Sequence, residues 1–188
     1  AKLAYGRAAE AGNTWAMIKL ARLITSDEST VRDVYRAERL LKQAEGGDPV
    51  NAGEALGDLY MLDSPLRNPA RAATAYGKAA EAGSSPSAIK LAQMLASGEG
   101  VPPNPRRALD LINQAIEDGD ATKGSDALGD FYMLDTAYRD PAKAFAAYQQ
   151  SADSGNAWAL FKMARILTRG DGVAADPTRA RSLIEEAI

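Results

Sequence analysis

Two pairs of carboxylates, Glu54 with Asp58 and Asp126 with Asp130, are spaced so that each pair shares one helix face, where two acids could divide proton donation and abstraction between them. They are the main candidates for chemistry, because the 188 residues include no Cys and no His. That absence removes disulfides, Cys or His metal ligands, His general bases and Cys nucleophiles together. The two pairs, however, lie 72 positions apart at equivalent places in near-identical stretches, Glu54 to Arg71 and Asp126 to Lys143. An active site needs one constellation, whereas a residue that recurs once per unit is architectural. Gly119 to Ser125 is the nearest approach to a phosphate-binding loop, but it lacks the Lys-Ser or Lys-Thr ending and reads as a turn between helices. Arg169-Gly170-Asp171 spells an adhesion tripeptide, yet Gly170 and Asp171 belong to a loop that also repeats. No catalytic residue, metal or cofactor is expected.

The elements that must position these side chains follow from the repeat. Gly12, Gly47, Gly83, Gly119 and Gly155 each close an alanine-rich helical segment, at intervals of 35, 36, 36 and 36 residues. Glycine after the last periodic residue takes a left-handed conformation that satisfies the final carbonyls, so all five read as helix stops. Asn68-Pro69, Asn104-Pro105, Asp140-Pro141 and Asp176-Pro177 keep the same 36-residue beat and read as helix starts. There the Asn or Asp accepts from the free N–H groups of the first turn, and Pro gives up a donor that has no partner. Asp33, 35 residues before Asn68, is the expected cap of the third helix. The pattern predicts eleven helices and no strand, over Lys2 to Ala11, Thr14 to Thr25, 34–46, 50–62, 69–82, 86–97, 105–118, 122–134, 141–154, 157–168 and 177–188. Asn13, Asp48, Ser84, Asp120 and Asn156 directly follow the closing glycines, and helices joined so tightly are antiparallel neighbours.

A strict period makes residues 1–188 one continuous array, because each unit buries its apolar face only by stacking on the next. Helical pattern is already under way at Ala1 and still running at Ile188, so the array reads as a piece of a longer one. Hydrophobic content of 46% with 6% aromatics implies a core of Ala, Leu, Ile and Met between closely packed helices. Gly57 and Gly129 stand mid-helix, where Gly costs about 1 kcal/mol relative to Ala, so close approach of a neighbouring helix is the expected compensation. Tyr60 and Tyr132, three residues on, are expected as wedges between units. A net charge of −3 argues against a nucleic-acid partner, and no run approaches the ~18 apolar residues of a membrane-spanning helix.

Several motifs together resemble the Sel1-like repeat, a member of the tetratricopeptide-like class. They are Gly98-Glu99-Gly100-Val101 followed by Asn104 and Arg107-Ala108, and its twin Gly170-Asp171-Gly172-Val173 with Asp176 and Arg179-Ala180. Leu56-Gly57 with Tyr60 and Leu128-Gly129 with Tyr132 also match, as do Tyr5, Tyr76 and Tyr148 three residues before an Ala-Ala or Ser-Ala pair. Loops 63–68 and 135–140 depart from it, lacking the Gly-x-Gly-Val element. The resemblance implies an all-α, right-handed α-solenoid superhelix of antiparallel helix pairs, about five repeats and a half. It also implies a non-catalytic scaffold that holds another protein in its concave groove. A second reading resembles the exported, periplasmic adaptors of bacterial polysaccharide secretion complexes, where carbohydrate could be contacted. Six per cent aromatics disfavours the carbohydrate.

The expected groove is lined by the helices at 14–25, 50–62, 86–97, 122–134 and 157–168. Its candidate contacts are Trp15, Lys19, Arg22, Glu54, Asp58, Lys90, Gln93, Asp126, Asp130, Trp158, Lys162 and Arg165. Basic and acidic units alternate along it, which would select a partner of complementary charge. The same stripes would also form a ladder of ion pairs between neighbouring helices, each contributing ~0 to 1 kcal/mol. Trp15 and Trp158 occupy equivalent places 143 residues apart, and packing beneath the preceding turn is the expectation for both, with a binding role as the alternative.

Overall fold

The computed structural model describes residues 1–26 and 30–188. Over them the chain forms eleven α-helices and no strand: α1 (Lys2–Glu10), α2 (Thr14–Ile24), α3 (Val31–Ala44), α4 (Pro49–Met61), α5 (Pro69–Glu81), α6 (Ser85–Ser97), α7 (Pro105–Glu117), α8 (Ala121–Met133), α9 (Pro141–Asp153), α10 (Ala157–Arg169) and α11 (Pro177–Glu186). The starts are set locally. Asn68, Asn104, Asp140 and Asp176 each accept from the N–H three residues on, with Pro opening the helix behind them. The third helix departs from expectation: Thr30, not Asp33, is its cap. Asp33 instead sits at the third helical position and closes a capping box, taking the Thr30 N–H at 3.2 Å while its own N–H donates to the Thr30 hydroxyl.

Gly12, Gly83, Gly119 and Gly155 carry φ between 88° and 100°, the left-handed conformation expected of a helix stop. Each lets the following N–H reach back to a carbonyl five residues earlier, as from Asn13 to Ala8 and from Asn156 to Ser151. Gly47 departs from the pattern, having no positive φ. A Cβ there would stand 2.6 Å from the Thr14 hydroxyl, so that glycine is required by the close passage of α2 and not by its own backbone angle. Loops 63–68 and 135–140, which lack Gly-x-Gly-Val, still end on the bond that the other loops make. Asn68 N–H donates to Tyr60 O and Asp140 N–H to Tyr132 O, as Asn104 does to Leu95 and Asp176 to Leu167.

The helices are grouped in two compact bodies, Ala1–Met94 with Gly98–Pro102, and Leu95–Ser97 with Pro103–Ile188. In the first, α1 through α5 pack consecutively, and in the second α7 through α11 do the same. Ala37, Ala44, Ala52 and Ala72 are wholly enclosed in the first core, Ala144 and Ala159 in the second. Alanine at these crossings keeps the axes close, leaving Leu41, Leu56 and Leu59, or Leu160, Met163 and Ile166, to fill the remaining space.

Candidate functional site

The duplicated stretch builds the same five-residue cluster once in each body. In the first, Gly57 leaves a gap on α4 into which the Tyr76 ring of α5 fits so closely that a Cβ would lie 2.3 Å from the ring. The ring is buried, and its hydroxyl donates to Asp58 at 2.7 Å. Lys90 of α6 then donates to Asp58 at 2.6 Å and Glu54 at 3.1 Å. In the second body Gly129 receives Tyr148, whose hydroxyl donates to Asp130 at 2.7 Å, while Lys162 of α10 donates to Asp126 at 2.9 Å and Asp130 at 2.8 Å. Each lysine also stands over the tyrosine ring, at 5.4 Å and 5.1 Å from its centre. The carboxylate pairs therefore face cations and hydroxyls of neighbouring helices, where they act as acceptors.

A third cluster involves Glu38 of α3, which accepts from the Tyr60 hydroxyl at 2.9 Å, from Arg71 at 2.5 Å and from Lys42 at 3.0 Å. Arg71 also lies over the Tyr60 ring, 4.0 Å from its centre. Burial alone would raise the Glu38 carboxyl, but the bonds from Lys42, Arg71 and Tyr60 outweigh it and hold the group below its ordinary value. The phenols move the other way. Burial, then the bond to Glu38, pushes Tyr60 up to about 12, and burial with the bond to Asp58 or Asp130 pushes Tyr76 and Tyr148 further. A group with a raised folded value is fully stabilising below its unfolded value and loses that contribution as pH rises toward the folded one. Stability should therefore fall as pH climbs from 10.0 through about 12. Urea unfolding midpoints across that interval measure the effect, and Tyr76→Phe with Tyr148→Phe should flatten the slope; an unchanged slope would mean these phenols ionise alike in both states.

The tryptophans contradict the packing expectation. Trp15 is 56% exposed and Trp158 64% exposed, the largest side chains so placed among the described residues. Both occupy the second position of their helices, on the side away from Ala16, Leu20 and Ala21 or Ala159, Leu160 and Ala164, which face the core. Trp15 rests edge-on against Tyr5 at 5.5 Å with Lys19 over its face at 5.5 Å, and Trp158 leans on Phe161 at 5.3 Å. One and two turns along from each indole, Lys19, Arg22 and Arg165 are exposed, whereas Lys162 is drawn inward to 13%. Gln93 lies exposed on α6.

Among the described residues no three acidic side chains are placed to hold a metal ion, and no helix is long and apolar enough to cross a membrane. The Sel1 repeat profile matches residues 85–120, 127–156 and 159–188, just over half of the chain. The chain belongs to the Sel1 repeat family. Of solved structures, the c5321 protective antigen of uropathogenic Escherichia coli, which displays an SLR fold, aligns at 25% identity and a TM-score of 0.76 over 100% of this chain. This chain spans 40% of that antigen's length. A Sel1 repeat protein from Oxalobacter formigenes aligns at 24% identity and a TM-score of 0.72, over 93% of this chain and 72% of its own. No curated protein sequence matches. The fold is thus the all-α Sel1 solenoid of antiparallel helix pairs, and Sel1 repeat proteins are typically non-enzymatic and generally mediate protein–protein interaction.

The family loop also explains the adhesion-like tripeptide. Gly170 ends α10 in the left-handed conformation and Asp171 pairs with Arg139, as Glu99 pairs with Arg67 at 3.1 Å in the first body. Of the twelve side chains proposed from the sequence, six are gathered into the two lysine clusters: Glu54, Asp58 and Lys90, and Asp126, Asp130 and Lys162. The clusters also contain Tyr76 and Tyr148, which sequence reasoning assigned no role. Their signal was present: each follows a mid-helix glycine by 19 residues, in both copies of the duplicated stretch.

Proposed function

We propose that this Sel1 array is a non-catalytic scaffold in which each body by itself holds a partner protein against an exposed stripe, that of α2 (Trp15, Lys19, Arg22) in the first and that of α10 (Trp158, Arg165) in the second. One observation carries the reading: two indoles at equivalent repeat positions stand open to solvent, 56% and 64% exposed, while the other charged candidates of α4, α8 and α10 are occupied within the fold. Exposed tryptophan beside a cation is the composition of an interface anchor, since the indole offers a large apolar area at little cost in side-chain entropy. Photo-crosslinking residues placed at Trp15 and at Trp158 should trap the same partner from the native cell, and Trp15→Ala with Trp158→Ala should abolish its capture with the thermal midpoint unchanged. Undiminished capture by the double variant would remove these stripes from the interface.

A further inference from the structure

The outward face of α3 carries a second group of exposed basic residues in the first body. Arg32, Arg36 and Arg39 recur there at helical spacing, all exposed, and form no ion pair with any described carboxylate. Beside them Val31 and Tyr35, one turn apart, are 55% and 50% exposed. Arg32, Asp33, Tyr35, Arg36 and Arg39 border a depression of about 730 Å³. The acidic residues of the same helix are engaged elsewhere, Asp33 in the capping box with Thr30 and Glu38 with Tyr60, Arg71 and Lys42. Among the described residues, three arginines with an apolar edge thus share one carboxylate, Asp33, which faces Arg36 and is already held in the capping box, on a chain whose net charge is −3.

We propose that this face of α3 captures a short acidic segment of a partner protein, in which carboxylates flank one aliphatic or aromatic side chain. Arginine suits this role because its planar fork meets a carboxylate through two parallel N–H···O bonds. The run from Arg32 to Arg39 covers about 10 Å of helix, which an extended segment of three or four residues would match. The apolar residue of that segment would lie over Val31 and Tyr35. A long polyanion is disfavoured, since three arginines must hold it against the repulsion of the whole chain. A lipid surface is disfavoured too, because two apolar side chains bury too little area to anchor a protein.

Fluorescence anisotropy with the full chain and a labelled peptide of alternating Glu and Leu tests the assignment. The Glu peptide should bind and be released by salt, and its Gln counterpart should not bind. Arg32→Glu with Arg36→Glu should weaken the Glu peptide about tenfold or more, and Arg39→Glu alone should weaken it less, with the melting temperature nearly unchanged because all three are exposed and none forms an ion pair with a described carboxylate. Absence of binding by the wild type, equal binding of the Gln peptide or indifference to the arginine reversals would overturn the proposal. Tighter binding of oligothymidylate or of phosphatidylserine vesicles by the same arginines would also overturn it.

Discussion

Gly57→Ala and Gly129→Ala are each expected to lower stability by about 1 to 3 kcal/mol, although alanine is the better helix former. The added Cβ would lie 2.3 Å from the ring of Tyr76 or Tyr148, well inside contact distance. Neither ring can retreat cheaply. Each is buried, with its hydroxyl held by Asp58 or Asp130 at 2.7 Å, so moving the ring also breaks that bond. Gly77, in the interior of α5, is the internal control: its nearest neighbour would be Leu91 at 3.8 Å, an ordinary contact. Gly77→Ala should stabilise by about 0.5 to 1 kcal/mol through helix propensity alone. Thermal melts followed by far-UV circular dichroism compare the three. A shared sign would show that propensity, and not the tyrosine fit, governs these positions.

Lys162→Met is expected to cost about 2 kcal/mol, and Lys162→Glu more, because a partly buried cation that serves two carboxylates is removed or reversed. Asp126 and Asp130 would be left facing each other without the ammonium that both contact within 3 Å, while the Tyr148 hydroxyl would still donate to Asp130. Arg165→Glu, one turn along on the same helix, should stay within about 0.5 kcal/mol, since Arg165 is exposed and forms no ion pair among the described residues. The sequence treats these two residues as one basic patch, and the fold separates them. Urea titrations of the single variants decide the matter. Equal losses at the two positions would show that Lys162 carries no special part in joining α8 to α10.

What the sequence by itself determined is the part of the fold that closes over a few residues. A helix start at Asn68 or Asp140 needs an acceptor and a proline within one turn, and a stop at Gly12 or Gly155 needs one left-handed residue, so both could be read directly. The 36-residue beat then placed all eleven helices, because units that cannot bury their own faces must stack. Where local signals compete, reading by period failed. Thr30 with Asp33 makes a better-satisfied cap than Asp33 alone, and Gly47 answers to Thr14 of another helix. Tertiary structure alone decided which side chains are occupied. Lys90 meets Glu54 and Lys162 meets Asp126 across 36 residues, and Trp15 and Trp158 stay more than half exposed, Trp15 with only the Tyr5 ring of α1 against its edge among the described aromatics. Exposure and pairing are properties of the packed neighbours, and a helix period specifies which residues share a face without specifying what that face meets.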